Sequence, residues 1–220
     1  MNKHSVLVVG AGAMGMVAGY HLSLAGAAVT FYVRPSRLAM MTPPQRLYCY
    51  DDAQLKVFDS YQTISGIAEV AAQKFDYVLV TLDGRACFGV EGTALLRDLA
   101  EAIRSTSACM VIGAVGIGLR EHCLNITGLP EQRLMHGMLA LLSHQVAPAA
   151  LPLHPPTDPV KLASASIAYH HFPNKAGFVI ASRSKHASRE FAAMYNRCHI
   201  SRCSTINLTL HSIITNMFFP

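Results

Sequence analysis

Three glycines stand at a spacing that can do chemistry. They are Gly10, Gly12 and Gly15, with Ala11, Ala13 and Met14 between them. In a G-x-G-x-x-G run each glycine has its own task. The first allows a tight turn out of a strand, the second lets the backbone approach a diphosphate, and the third lets the next helix pack closely on the sheet. The free N–H groups and positive dipole end of that helix then face the anion. Further along, Arg34, with Ser36 and Arg37 behind it, stands where a unit that binds the adenosine ribose hydroxyls carries Asp or Glu. A carboxylate there repels a ribose 2′-phosphate, whereas a guanidinium pairs with it through two parallel hydrogen bonds. The two features together read as a site for NADP(H). The plainer alternative is a glycine-rich turn followed by an exposed loop arginine.

The elements needed to position these residues are also present. Val6, Leu7, Val8 and Val9 form a short β-branched-rich run, as expected of a strand buried on both faces. A helix over 13–25 carries Met14, Val17, Ala18, His21 and Leu22 on one face, and Gly26 stops it. A second strand covers 28–33. The pattern then predicts a turn at 40–44, a hairpin of strands 46–50 and 54–58 as an ornament on the sheet, and a short helix over 64–72. A buried strand over 75–81 delivers Leu82, Asp83 and Arg85 to the carboxyl edge of the sheet, where open α/β folds bind ligands. The segment 92–104 is an amphipathic helix with Leu95, Leu96, Leu99 and Ile103 inward. A strand over 108–112 leads to a second glycine cluster around Val115, Gly116 and Gly118, close to where a nicotinamide ring would rest. After the apolar stretch 133–146, with His136 and His144, comes a proline-rich connection over 151–159. A helix over 160–170, a strand over 177–181 and a helix over 188–197 complete the pattern. The expected fold is a Rossmann-like, doubly wound α/β domain over 1–180, its sheet mostly parallel with helices on both faces, and 181–220 form a C-terminal extension.

Composition narrows the function classes. With 51% hydrophobic and 14% charged residues, the 220-residue chain can bury a sizeable core. No apolar run reaches the roughly 18 residues of a membrane span. The net charge of +5 is scattered and joined to no nucleic-acid module, and suits attraction of a phosphorylated or carboxylate ligand. The six cysteines form no C-x-x-C pair and read as reduced thiols of a cytoplasmic protein. The glycines interrupt the only stretch that resembles a signal peptide. No metal-forming histidine pattern and no G-x-S-x-G elbow occur.

Residues 10–15, Arg34, the run Leu79, Val80, Thr81, Leu82, and Gly116 with Gly118 together resemble the N-terminal nucleotide domain of the ketopantoate reductase family (2-dehydropantoate 2-reductases). The resemblance covers about the first 120 residues. It implies NADPH-dependent reduction of a 2-keto acid, with an all-helical C-terminal domain completing the active site. Gly10, Ala11, Gly12, Ala13, Met14, Gly15, Arg34, Arg37, Leu82, Asp83, Arg85 and Val115 are then the cofactor-binding candidates. Three departures follow. Asp83 stands where the family has a lysine, and Val115 where it has an asparagine. The family's catalytic lysine has no counterpart in 205–216, where Ser212 falls nearest its position and His211, read as a helix-surface residue, is the neighbour with a suitable pKa. No catalytic residue is assigned. Besides an NADP-dependent 2-keto acid reductase, the sequence leaves open a non-catalytic dinucleotide sensor or partner-binding module, and a truncated reductase whose helical domain begins near residue 220. A small 2-keto acid and a second copy of the chain are the partners left open; nucleic acid and membrane are not expected.

Overall fold

The computed structural model describes residues 3–42, 44–147, 158–170 and 176–218. The β-branched run is strand β1, Ser5–Val9. Helix α1, Ala13–Leu24, follows the glycine turn, and β2, Ala28–Tyr32, returns parallel to β1 with Val29 opposite Val6. Gly26 makes the turn between them at φ +83°. A 3-10 turn, Pro35–Met41, comes next, so the turn expected at 40–44 starts earlier, at the proline that follows Arg34. Strands β3, Gln45–Cys49, and β4, Gln54–Phe58, form the expected hairpin around Asp51 and Asp52.

Strand β5, Tyr61–Ile64, then pairs parallel to β2, and helix α2, Ile67–Ala71, is shorter than the helix read over 64–72. Strand β6, Tyr77–Val80, lies on the other side of β1. Helices α3, Gly84–Phe88, and α4, Val90–Ala102, lead to strand β7, Cys109–Ile112. Helix α5, Leu119–Thr127, and strands β8, Leu134–Leu139, and β9, Leu142–Gln145, follow. The remaining elements are α6, Pro159–Ala163; β10, Ile167–His170; β11, Ala176–Ala181; α7, Lys185–Asn196; β12, Arg202–Ile206; and α8, Leu208–Phe218.

Eight strands form the main sheet in the order β12-β11-β8-β7-β6-β1-β2-β5. Only the β8–β11 pair is antiparallel. Alternation along each strand sends side chains into two cores. Val6, Val8, Leu79, Val111 and Met135 pack on one face with Val17 and Leu22 of α1 and Phe191 and Tyr195 of α7. Leu7, Val9, Val78, Val80, Met110 and Ile112 pack on the other with Leu96 and Leu99 of α4 and Cys123 of α5. This is the doubly wound arrangement expected from the sequence. β1 lies inside the sheet, between β2 and β6, at the kind of topological switch point where such sheets bind ligands.

Three readings change. The hairpin is no ornament of the main sheet, because β3 pairs with β10 and helps to form a separate four-stranded sheet, β4-β3-β10-β9. The helix read over 160–170 is a five-residue helix followed by a strand. In β10, Ile167 and Tyr169 enter the main core while Ala168 packs with Tyr48 and Tyr50, the period of two that marks a strand. The main sheet also continues past residue 180, since β12 pairs parallel to β11. Of the proline-rich connection over 151–159, the described part is Asp158, which caps α6 through the Lys161 amide, and Pro159.

Candidate functional site

The glycine turn lies at the carboxyl end of β1 and is locked there by its neighbours. Gly10 has φ +97°, a left-handed conformation that a side chain resists. Its N–H bonds the Tyr32 carbonyl at the end of β2. The Thr81 hydroxyl, at the end of β6, donates to the Val9 and Gly10 carbonyls at 2.9 and 3.1 Å. A Cβ on Gly15 would stand 2.2 Å from the Gly10 carbonyl oxygen, so only glycine lets α1 start so close to the turn. Gly12 is the opposite case, since a Cβ there would meet nothing within 4 Å. The open side at Gly12 fronts the first turn of α1, whose N-terminus has no side-chain cap. Unsatisfied N–H groups beside open space are what a diphosphate requires, and the cradle fits the group that the sequence suggested.

Arg34 sits just past the end of β2 with its side chain 80% exposed and its guanidinium 3.5 Å from the Glu91 carboxylate, in the first turn of α4. An ion pair this exposed is worth little, so Arg34 is available to a stronger anion. Arg37 instead points along its own turn, to the Met40 sulfur at 3.4 Å.

The β6 end and the second glycine cluster meet. Leu82 lies beside Gly10, and Gly84 approaches the Val115 carbonyl so closely that a Cβ there would be 2.3 Å from its oxygen. Asp83 accepts from the Ala86 amide at 2.7 Å as the N-cap of α3. Where the resembled family has a lysine, this chain therefore uses a carboxylate to start a helix. Arg85 is exposed on α3. Ala13 and Met14 lie partly buried in the first turn of α1, and Ala11 beside them in the glycine turn.

A cleft of about 290 Å³ opens next to Val115, at the carboxyl end of β7 and beside the middle of β8. One wall is the turn from Ala114 to Gly118 and the start of α5 with Arg120 and Glu121. The other is α8, through His211, Ser212, Thr215 and Asn216. His136 of β8, opposite Ile112 at the end of β7, forms its floor. His211 is buried, not on the helix surface as expected. Burial drives the His136 imidazole down to about 3, helped by His211 and Arg120. Burial and Arg120 also lower His211. Sequence reading passed over His136 and Arg120. The signal available was register: a histidine level with the last residue of β7 falls at the same sheet edge as Val115. Thiol chemistry has no place here, because burial raises Cys87 to about 11 and Cys123 to about 12.

Comparison with known proteins places these features. Residues 6–83 match the family model described as ketopantoate reductase PanE/ApbA. No curated protein matches the chain by sequence. Among solved structures, 2-dehydropantoate 2-reductase from Methylococcus capsulatus is 18% identical, with a TM-score of 0.66 over 94% of this chain and 59% of that one. The enzyme of the same name from Geobacter metallireducens GS-15 is 18% identical, with a TM-score of 0.65 over 92% of this chain and 57% of that one. A D-mandelate dehydrogenase, solved with NADH and anilino(oxo)acetate, is 12% identical, with a TM-score of 0.67 over 95% and 59%. The chain thus spans less than two thirds of the length of these structures, and the likeness is one of fold.

Proposed function

With residues 6–83 carrying ketopantoate reductase sequence, we propose that this chain binds NADPH at the glycine turn and serves reduction of a small 2-keto acid. The observation that carries this reading is the cradle itself: an open Gly12, a Gly15 that tolerates no Cβ, and an uncapped α1 N-terminus. In it Gly10 makes the turn, its own N–H engaged by the Tyr32 carbonyl, and Ala11, Gly12, Ala13, Met14 and Gly15 hold the diphosphate by backbone N–H groups. Arg34, with Arg37 behind it, holds the ribose 2′-phosphate. Leu82, Asp83, Arg85 and Val115 border the path towards the nicotinamide. When bound, the reduced dinucleotide supplies the two electrons that reduce a carbonyl carbon. The ends of β6 and β7 orient the carbonyl, and the cleft walls keep water from it.

The six cysteines, all free thiols, suit a reducing compartment, and we place the chain in the cytoplasm. Among the described residues no helix is long and apolar enough to cross a membrane. A non-catalytic dinucleotide module is the second reading, favoured by Asp83 serving as a helix cap and by the absence of lysine from α8.

Mixing the chain with NADPH and a panel of 2-keto acids that includes ketopantoate, and following the loss of reduced-nicotinamide absorbance, separates the two readings. We expect turnover below the usual range of about 1–10³ per second, because the position nearest the family's lysine holds Ser212. Saturable NADPH binding with no oxidation by any acid of the panel would favour the non-catalytic module.

A further inference from the structure

His136 and His211 face each other across the cleft with ring centroids 6.2 Å apart. Both are buried, and the Nε2 atom of each has no hydrogen-bond partner among the described residues. Leaving a buried polar atom unpaired is costly, so two such atoms in one cleft point to a ligand rather than to packing.

The rest of His211 is already engaged. Its Nδ1 lies 3.5 Å from the Thr215 hydroxyl, and that hydroxyl donates to the His211 carbonyl oxygen. Thr215 therefore sets the ring, and Nε2 is the end left for chemistry. The charged and titratable groups around the ring come from three other elements. They are His136 on β8, Arg120 and Glu121 on α5, and Glu131 in the 3-10 turn before β8, which pairs with both Arg120 and Arg183. Helix α8 itself carries no charged residue. Its outward stripe is Leu210, Ile213 and Met217, all exposed, while His211, Ser212, Thr215 and Asn216 line the cleft.

We propose that His211 is the proton donor of this cleft, protonating the carbonyl oxygen of a bound 2-keto acid as it is reduced, with His136 as the second polar contact that positions the substrate. This rests on the function proposed above, whose reduced dinucleotide is the two-electron reductant. As the carbonyl carbon is reduced, the C=O π pair moves to the oxygen. The Nε2–H bond of the His211 imidazolium breaks and an O–H bond forms. A hydroxy acid and a neutral imidazole result, and solvent returns the proton to the ring. Ser212, one residue on, has a hydroxyl that does not ionise in the working range, whereas an imidazole does. His136 remains uncharged above about pH 3 and serves only as a hydrogen-bonding partner.

The test reads the imidazoles directly. Proton NMR of the histidine Cε1–H signals is recorded against pH, with and without oxamate, a 2-keto acid analogue that resists reduction, and with and without NADP. His211→Gln and His136→Asn identify the two signals. Oxamate should raise the His211 titration midpoint, and His211→Gln should weaken oxamate about tenfold while calorimetry shows unchanged NADPH affinity. In the wild type, NADPH oxidation should accelerate towards acid with a midpoint below the ordinary imidazole value, since burial and Arg120 lower His211, and His211→Gln should lose that limb. Oxamate leaving both signals unmoved, or an intact acidic limb in His211→Gln, overturns the proposal. Once the signals are assigned, the oxamate titration without nucleotide is read on the wild type and does not depend on NADPH binding. A chain that fails to bind NADPH but still shows the His211 shift would reject the dinucleotide reading alone.

Discussion

In the site we propose, Arg34 and Gly15 serve recognition by opposite means, one by reaching out and the other by having nothing to reach with. Among the described residues the Arg34 guanidinium is paired with an exposed Glu91, so a 2′-phosphate can take it with little loss. Arg34→Ala should weaken NADPH by about 1.5–3 kcal/mol, the range for hydrogen bonds to charged groups, and leave NADH nearly unchanged. Equal losses for the two cofactors in calorimetry would contradict that role. Glu91→Gln should tighten NADPH slightly at low salt, because a carboxylate next to the phosphate repels it. At Gly15, Ala would place a Cβ 2.2 Å from the Gly10 carbonyl. Gly15→Ala should lower the melting temperature and abolish NADPH binding, both read in one thermal-shift titration. Gly12→Ala has free space in the unliganded chain, so it should leave the melting temperature alone and reduce binding only.

Helix starts and strand ends determine what surrounds those residues. Asp83 satisfies an amide at the start of α3. Asp83→Ala should cost roughly 1 kcal/mol of stability in urea unfolding, the usual worth of an N-cap. Within β8, level with the end of β7, the depressed His136 imidazole makes stability depend on pH. The unfolded chain takes up this proton near 6.5 and the folded chain only near 3, so acid favours unfolding. The contribution is complete above about 6.5 and is lost as pH falls towards 3. Replacing His136 with Gln should flatten that part of the stability profile.

The segment β1-α1-β2 was legible because its signals are local: a β-branched run, three spaced glycines and a helical stripe. Strands β5, β9 and β10 were not, since, unlike the equally short β6 and β7, they mix polar with apolar residues and gain their identity from a distant partner. β10 pairs with β3, about 120 positions earlier in the chain. The helix read over 160–170 arose because the spacing of Leu162, Ala165 and Ala168 fits a helix as well as it fits α6 followed by a strand. His211 was read as a surface residue because sequence shows the amphipathic pattern of α8 but not which face meets the cleft.

At the scale of the molecule, α1 packs between the main sheet and the small one while α7 covers β11 and β12 beside it, and Phe191 of α7 lies wholly buried there, edge-on to Tyr77 and Phe178. Phe191→Ala should cost about 3–5 kcal/mol in urea unfolding, without altering NADPH affinity per folded molecule. The eight-stranded order puts the β1 turn, the β6 end and the β7 end side by side, which is why residues far apart in sequence, from Gly10 to Val115 and His136, share one edge. Glycine spacing and Arg34 pointed to the half of this edge that we assign to the cofactor. The His136–His211 half was hidden, because it depends on β8 and α8 closing over the same cleft. The account stands most directly on cofactor choice at the glycine turn. Calorimetric titration of the chain with NADPH and, separately, NADH measures it. The account predicts a single saturable site that takes NADPH at least tenfold more tightly. Equal affinity for the two, or no binding of either, would contradict it.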